Sequence, residues 1–222
     1  CYAAVTWNNI ENPILIGWMS NWLYGNEVPT DPFRGFMSIP RTLSLRNENG
    51  RLRLIQKPID ISSLYSETFL MNETLTLKHG ERNEVCLSSL QTCMIGNIEK
   101  NTSSTFIMSI KGSSDRLDII FDAKKQEVAV DRSKSGQVSF SKHFSSIDKM
   151  KVEGISNFTI IMDQTSIELF VNNGSSVMTE IFFPNDRTHK VEWRSIDGEV
   201  VLNLTAHRIK SIWSDHADQT CP

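Results

Sequence analysis

Apolar and polar residues alternate with a period of two along much of the chain. Leu117, Ile119 and Phe121 form one such set; Val128/Val130, Phe158/Ile160/Met162, Ile167/Leu169/Val171 and Val200/Leu202/Leu204 form others, each interleaved with polar or charged positions. A period of two puts successive side chains on opposite faces of an extended backbone, so each set predicts a half-buried β-strand. Between the sets stand turn signals at Asn49-Gly50, Ser135-Gly136, Asn173-Gly174 and Asp197-Gly198. The Asn-Gly and Asp-Gly pairs favour tight hairpins. No long stretch keeps the 3.6 period of an amphipathic helix, and the strand spacing suits a sandwich or barrel, so the fold class is all-β.

The texture changes near Pro58, where a first quarter rich in tryptophan and arginine gives way to Ser/Glu/Thr-rich sequence. A boundary between residues 58 and 66 follows. The segment before it is long enough for three or four strands, too few to bury a core of their own, while the remainder can form a sandwich of about ten strands.

Composition narrows the partners. The 222 residues are 39% hydrophobic and 22% charged, which excludes a disordered or collagen-like chain. With 23 Lys+Arg against 26 Asp+Glu, the net charge of −3 does not suit a binder of phosphate backbones or anionic lipid, so neither nucleic acid nor membrane is an expected partner. The longest apolar runs, such as Pro13–Met19, fall well short of the ~18–20 residues that span a bilayer. The chain begins at Cys1 rather than Met and enters directly into a strand-like run, Tyr2 to Trp7, and therefore reads as part of a longer polypeptide.

Cys86 and Cys93, separated by six residues, have a spacing that suits a bridge across a small hairpin; free buried thiols are the alternative. Five N-x-[ST] sequons occur, at Asn72, Asn101, Asn157, Asn173 and Asn203. Asn157 and Asn203 fall inside predicted strands, which leaves Asn72, Asn101 and Asn173 as the expected glycan acceptors of a secreted, extracellular protein. The five histidines show no metal-ligand spacing, and no glycine-rich phosphate loop is present, so neither a metal nor a cofactor is expected.

The densest chemistry lies between Gly17 and Arg41. Trp18 and Trp22 offer indole faces on which the C–H face of a sugar can stack, and Asn21 and Arg34 offer donors for its hydroxyls. The competing reading makes the tryptophans core residues and pairs Arg34 and Arg41 with Glu27 and Asp31 across a sheet edge. Asp131, Arg132, Asp163 and Glu168 sit in or beside predicted strands, where charge pairs and turn hydrogen bonds are the ordinary use.

The run GWMSNWLYGNEVPTDPFRGFMSIPRTLSL (Gly17 to Leu45), followed by Gln56-Lys57-Pro58, resembles the fifth propeller blade of glycoside hydrolase family 32, the invertases, inulinases and levanases. Farther on, Val130-Asp131-Arg132-Ser133-Lys134-Ser135-Gly136, the stretch Asp163 to Gly174 (DQTSIELFVNNG), Thr179 and Phe183-Pro184 resemble the family's C-terminal sandwich. The resemblance implies the last blade of a five-bladed β-propeller over residues 1–60 and a β-sandwich over 61–222. It implies cleavage or transfer of terminal β-fructofuranosyl units of sucrose, inulin or levan with retention, which needs two carboxyl groups ~5–5.5 Å apart.

The family's catalytic motifs, N-D-P-N-G, R-D-P and E-C, do not occur in this sequence. Asp31-Pro32 lacks the following Asn-Gly, and in Glu84-Val85-Cys86 a residue intervenes. No catalytic residue is therefore assigned. Trp18, Trp22, Asn21 and Arg34 are expected to form one wall of a substrate funnel whose remaining blades are a missing partner. A non-catalytic, lectin-like fructan- or glycan-binding sandwich, or a subunit of a split enzyme, is the alternative.

Overall fold

A computed structural model describes residues 2–48, 50–186 and 189–212. A four-stranded antiparallel meander comes first: β1 (Tyr2–Thr6), β2 (Ile14–Trp18), β3 (Arg41–Glu48) and β4 (Arg51–Pro58), paired in sequence order. Glu48 lies opposite Arg51, so β3 and β4 pair as consecutive antiparallel strands on either side of the Asn49-Gly50 signal; Asn49 lies outside the described residues.

Two six-stranded antiparallel sheets follow. One holds β6 (Arg82–Leu87), β8 (Thr105–Lys111), β9 (Arg116–Asp122), β10 (Glu127–Lys134), β11 (Ile147–Lys151) and β15 (His189–Ser195), in the order β11-β10-β9-β8-β15-β6. The other holds β5 (Tyr65–Leu77), β7 (Thr92–Asn101), β12 (Asn157–Asp163), β13 (Ser166–Val171), β14 (Ser176–Ile181) and β16 (Val200–Ile209), in the order β14-β13-β12-β7-β16-β5. The only helical element among the described residues is the 3-10 turn Ser62–Leu64.

The main core lies between these sheets. All five alternating sets read from the sequence point into it, around Trp193, Phe106, Phe121 and Phe158. Phe106 stacks on Phe121 at 4.5 Å between ring centroids, and Phe158 on Trp193 at 5.7 Å.

Two local expectations need correction. The bridge between Cys86 and Cys93 does not form, because β6 and β7 are not a hairpin but belong to opposite sheets. Cys86 is exposed on an edge strand, while Cys93 is buried and accepts a hydrogen bond from the Tyr65 hydroxyl at 3.4 Å. Likewise, Asp197-Gly198 joins β15 to β16 across the two sheets instead of closing a hairpin. The Asp197 carboxylate accepts from the Ser103 and Ser104 hydroxyls and from the Ser104 amide, bonds that favour its ionised form and lower its pKa to about 2.

The outer face of the β14–β5 sheet is covered as well. Ile61, Cys93, Ile161 and Phe170 form a second apolar cluster, joined by Ile39 and Ile59 from the first meander and its exit. Buried at its margin, Arg41 of β3 reaches Glu168 of β13 through Nε at 3.2 Å and through Nη2, donates to Gln56 Oε1 at 3.1 Å and to Thr179 Oγ1, and lies over the Phe170 ring. The second carboxylate oxygen of Glu168 accepts from the Ile39 amide at 2.5 Å. Arg41 therefore does not pair with Glu27 or Asp31. At the far end of the seam, the Gln56 amide donates to the Gly174 carbonyl at 2.9 Å. A Cβ on Gly174 would fall 2.0 Å from the Gln56 carbonyl oxygen, and its φ of +84° is one that side-chain-bearing residues rarely adopt.

Candidate functional site: an aromatic wall at the end of a blade strand

The last residue of β2, Trp18, bridges to Met37, and the Met19 amide donates to the Phe36 carbonyl at 2.8 Å. Residues 19–36 thus leave and re-enter the meander at one point as a closed loop. Within it the Asn21 carbonyl accepts from the Tyr24 and Gly25 amides at 3.1 and 2.7 Å, while Asn21 Oδ1 accepts from the Leu23 amide at 2.9 Å. This turn folds Trp22 back beside Trp18, with ring centroids 5.0 Å apart and planes tilted by 52°, and Tyr2 meets Trp18 edge-on at 6.3 Å. Gly25 permits the packing, since a Cβ there would lie 3.0 Å from the Trp18 ring.

The two tryptophans are brought together, and neither is a core residue: Trp18 is half-buried and Trp22 is 66% exposed. Asn21 adjoins them; its side-chain oxygen holds the turn, which leaves the amide nitrogen as the group able to donate outward. Arg34 is also exposed, but its Nη1 donates to the Asn26 carbonyl and ties the two limbs of the loop together. An aromatic pair of half-buried Trp18 and exposed Trp22, with the Asn21 amide next to it in the chain, presents a surface that can stack on and hydrogen-bond a sugar ring.

A second set of residues, not singled out in the sequence as belonging to this site, anchors the loop from below. Met19, Tyr24, Val28 and Phe36 pack on Phe140, Phe144, Ile181 and Phe183 of the sandwich. Among them lies buried Arg132 of β10, which donates to the Tyr24 hydroxyl at 3.2 Å and pairs with Glu180 at 3.0 Å and Asp148 at 3.3 Å. Burial raises the pKa of Glu180 to about 7 despite the Arg132 charge, with the nearby Asp148 carboxylate acting in the same direction as burial. Burial also raises the Tyr24 phenol, which keeps it protonated. Asp131 and Asp163 have local uses, accepting from the Ser133 and Gln164 amides.

A family model for the N-terminal domain of glycosyl hydrolases family 32 matches residues 1–58, and one for the family's C-terminal domain matches residues 44–210. The chain belongs to glycoside hydrolase family 32.

Among curated relatives, a levanase of Bacillus subtilis is 30% identical over 225 residues, covering 96% of this chain and 33% of the levanase. An extracellular exo-inulinase of Aspergillus ficuum is 31% identical over 225 residues, covering 96% of this chain and 42% of its own length. In three dimensions the chain is similar to the exo-inulinase of Aspergillus awamori, with a TM-score of 0.84, 27% identity, and coverage of 96% of this chain and 43% of that one. The β-fructofuranosidase of Schwanniomyces occidentalis shares the fold, with a TM-score of 0.75, 20% identity, and coverage of 95% of this chain and 48% of that one. The chain thus spans between a third and just under half of these relatives' lengths. Its architecture is the last blade of a β-propeller, the β1–β4 meander, followed by a β-sandwich.

Proposed function

We propose that the chain is the C-terminal part of a secreted family 32 enzyme that hydrolyses or transfers terminal β-fructofuranosyl units of sucrose, inulin or levan with retention, residues 1–60 completing its propeller and 61–222 forming its sandwich. The observation that carries this reading is the Trp18–Trp22 pair, with Trp22 exposed, on the blade of a chain whose relatives are named levanase and exo-inulinase. In this division of labour the chain binds and orients the sugar. The nucleophile and the acid/base are carboxyl groups of the preceding blades, because the family motifs that hold them are absent from this sequence.

The test uses the chain alone and the enzyme that carries it. Alone, it is expected to release no fructose from sucrose, inulin or levan; release would overturn the reading, and tight fructan binding without turnover by the folded chain would favour a lectin. In the assembled enzyme, Trp22→Ala is expected to lower kcat/KM about tenfold, the effect of losing 1–2 kcal/mol of stacking and burial. If Trp18→Ala and Trp22→Ala both left KM and kcat unchanged, the aromatic pair would have no part in sugar binding.

Extracellular residence is supported by the names of the fungal relatives, and it bears on the sequons. Asn157 donates its side-chain amide to Ser156 Oγ at 3.0 Å and Asn203 donates its own to the Asn72 carbonyl at 3.2 Å, whereas among the described contacts none uses the side-chain nitrogen of Asn72, Asn101 or Asn173. Asn72 and Asn173 are exposed, each with a positive φ that turns it out of regular strand geometry. Peptide mass spectrometry of the protein secreted from a eukaryotic host is expected to find glycans at Asn72, Asn101 and Asn173 and none at Asn157 or Asn203. Bare Asn72 and Asn173 would contradict this.

A further inference from the structure

The loop that carries Trp22 holds itself together weakly. Its internal bonds are those of the Asn21 turn, the Arg34–Asn26 tie, the bond from the Thr30 hydroxyl to the Phe33 carbonyl and a few backbone contacts, and its outer side chains, Trp22, Leu23 and Phe33, are exposed. What fixes it in space lies beneath it and belongs to the other domain. Tyr24 stands two residues beyond Trp22 on the opposite side of the same turn, buried edge-on against Phe144 with ring centroids 5.1 Å apart. Its hydroxyl accepts from Arg132 Nη1 at 3.2 Å, and the Arg132 guanidinium lies 4.6 Å above the Phe144 ring and 5.3 Å from the Tyr24 ring.

Arg132 is itself fully engaged. Its Nε donates to Ser146 Oγ at 3.0 Å, Nη1 pairs with Glu180 and Nη2 with Asp148, so its planar fork has one orientation in which every partner is served. A rotation of Tyr24 away from that fork would leave a buried phenol without its partner, which makes the position of the turn costly to change. Because the Asn21 carbonyl closes the turn onto Tyr24 and Gly25, a displacement of Tyr24 is carried to Trp22.

We infer that Arg132 of the sandwich is a positioning residue for the sugar-facing aromatic pair, acting through Tyr24 to hold Trp22 against Trp18. The inference rests on the proposed function for the role of Trp22, and its structural half stands apart from it. The sandwich then contributes to substrate recognition without touching substrate, by pre-organising a wall that the blade alone leaves loosely held.

Tyr24→Phe removes only the hydroxyl and keeps the ring packed, so it is the variant of choice; Arg132→Lys, which keeps the charge and loses the fork, is the second. Hydrogen exchange on the full chain is expected to speed up about tenfold for the amides of residues 21–27 in Tyr24→Phe, with the amides of 158–171 unchanged. Arg132→Lys is expected to do the same to a comparable extent. In the enzyme carrying the chain, both variants are expected to raise KM several-fold with kcat within about twofold, the pattern of a displaced binding surface. Unchanged exchange over 21–27, or exchange that rises equally in both segments, would overturn the inference. So would faster local exchange with an unaltered KM in an enzyme where Trp22→Ala does raise KM. A Trp22→Ala variant with unaltered KM would instead remove the sugar-binding role while leaving the exchange result to stand on its own.

Discussion

Replacing Glu168 by alanine is expected to destabilise the chain by about 3–5 kcal/mol, the range for breaking a buried ion pair by removing one partner. Arg41, only 2% exposed, would keep its charge with Gln56 and Thr179 as its remaining hydrogen-bond partners, and the Ile39 amide would lose its acceptor. The cost comes less from the attraction lost than from the buried guanidinium left behind. Glu168→Gln, which keeps the shape and one acceptor oxygen, is expected to cost less. The double change Arg41→Met with Glu168→Leu is expected to cost less than Glu168→Ala, since it leaves no buried charge behind, its remaining cost being the lost partners of the Ile39 amide, Gln56 and Thr179. Urea unfolding followed by circular dichroism measures all three. A midpoint for Glu168→Ala equal to that of the parent chain would show that the pair does not secure the blade to the sandwich.

Stability is expected to fall as the pH rises from about 4.5 to 7, by an amount on the order of 3 kcal/mol, through Glu180. Its folded-state pKa of about 7 stands above the ordinary 4.5 that the unfolded chain retains. Between those values the unfolded chain has released its proton and the folded one has not. The unfolded state therefore binds fewer protons, and each further rise in pH favours it until Glu180 ionises in the folded state too. Asp197 works in the opposite sense: held at about 2 by serine donors, it contributes stability above its ordinary value near 3.8 and loses it as the pH falls towards 2. Urea melts at pH 4.5 and 7.5 check the fall through Glu180. Glu180→Gln, which stays neutral throughout, should flatten the difference; an equally steep fall in that variant would assign it elsewhere.

The strands were legible because their period is a local property. Leu117/Ile119/Phe121 and the other alternating sets all enter the main core, and the meeting of Trp18 with Trp22 was legible because the two lie within one short run. The seam between the domains was not, because Arg41 and Glu168 are 127 positions apart and nothing local names either as the other's partner. A signal was present all the same. In Ile167-Glu168-Leu169-Phe170-Val171 and Phe158-Thr159-Ile160-Ile161-Met162 both faces carry apolar residues, which belongs to a sheet covered on both sides. Cysteine spacing misled for the converse reason: it measures separation along the chain, and β6 and β7, though consecutive, fall in opposite layers.

The passage from blade to sandwich has a further consequence. Residues 59–64 form no tether: Ile59 and Ile61 lie in the apolar cluster of the outer sheet face, the Ile59 amide donates to Pro40 on the blade side, and Leu64 accepts from Lys210 on the sandwich side. A protease must draw a segment out into its own cleft before it can cut. Here that would strip the interface of its cover and of bonds to both flanks at once. The two parts are therefore not modules that nicking could release intact, and grafting this sandwich onto a foreign blade would mean transplanting the connecting peptide and its bed together.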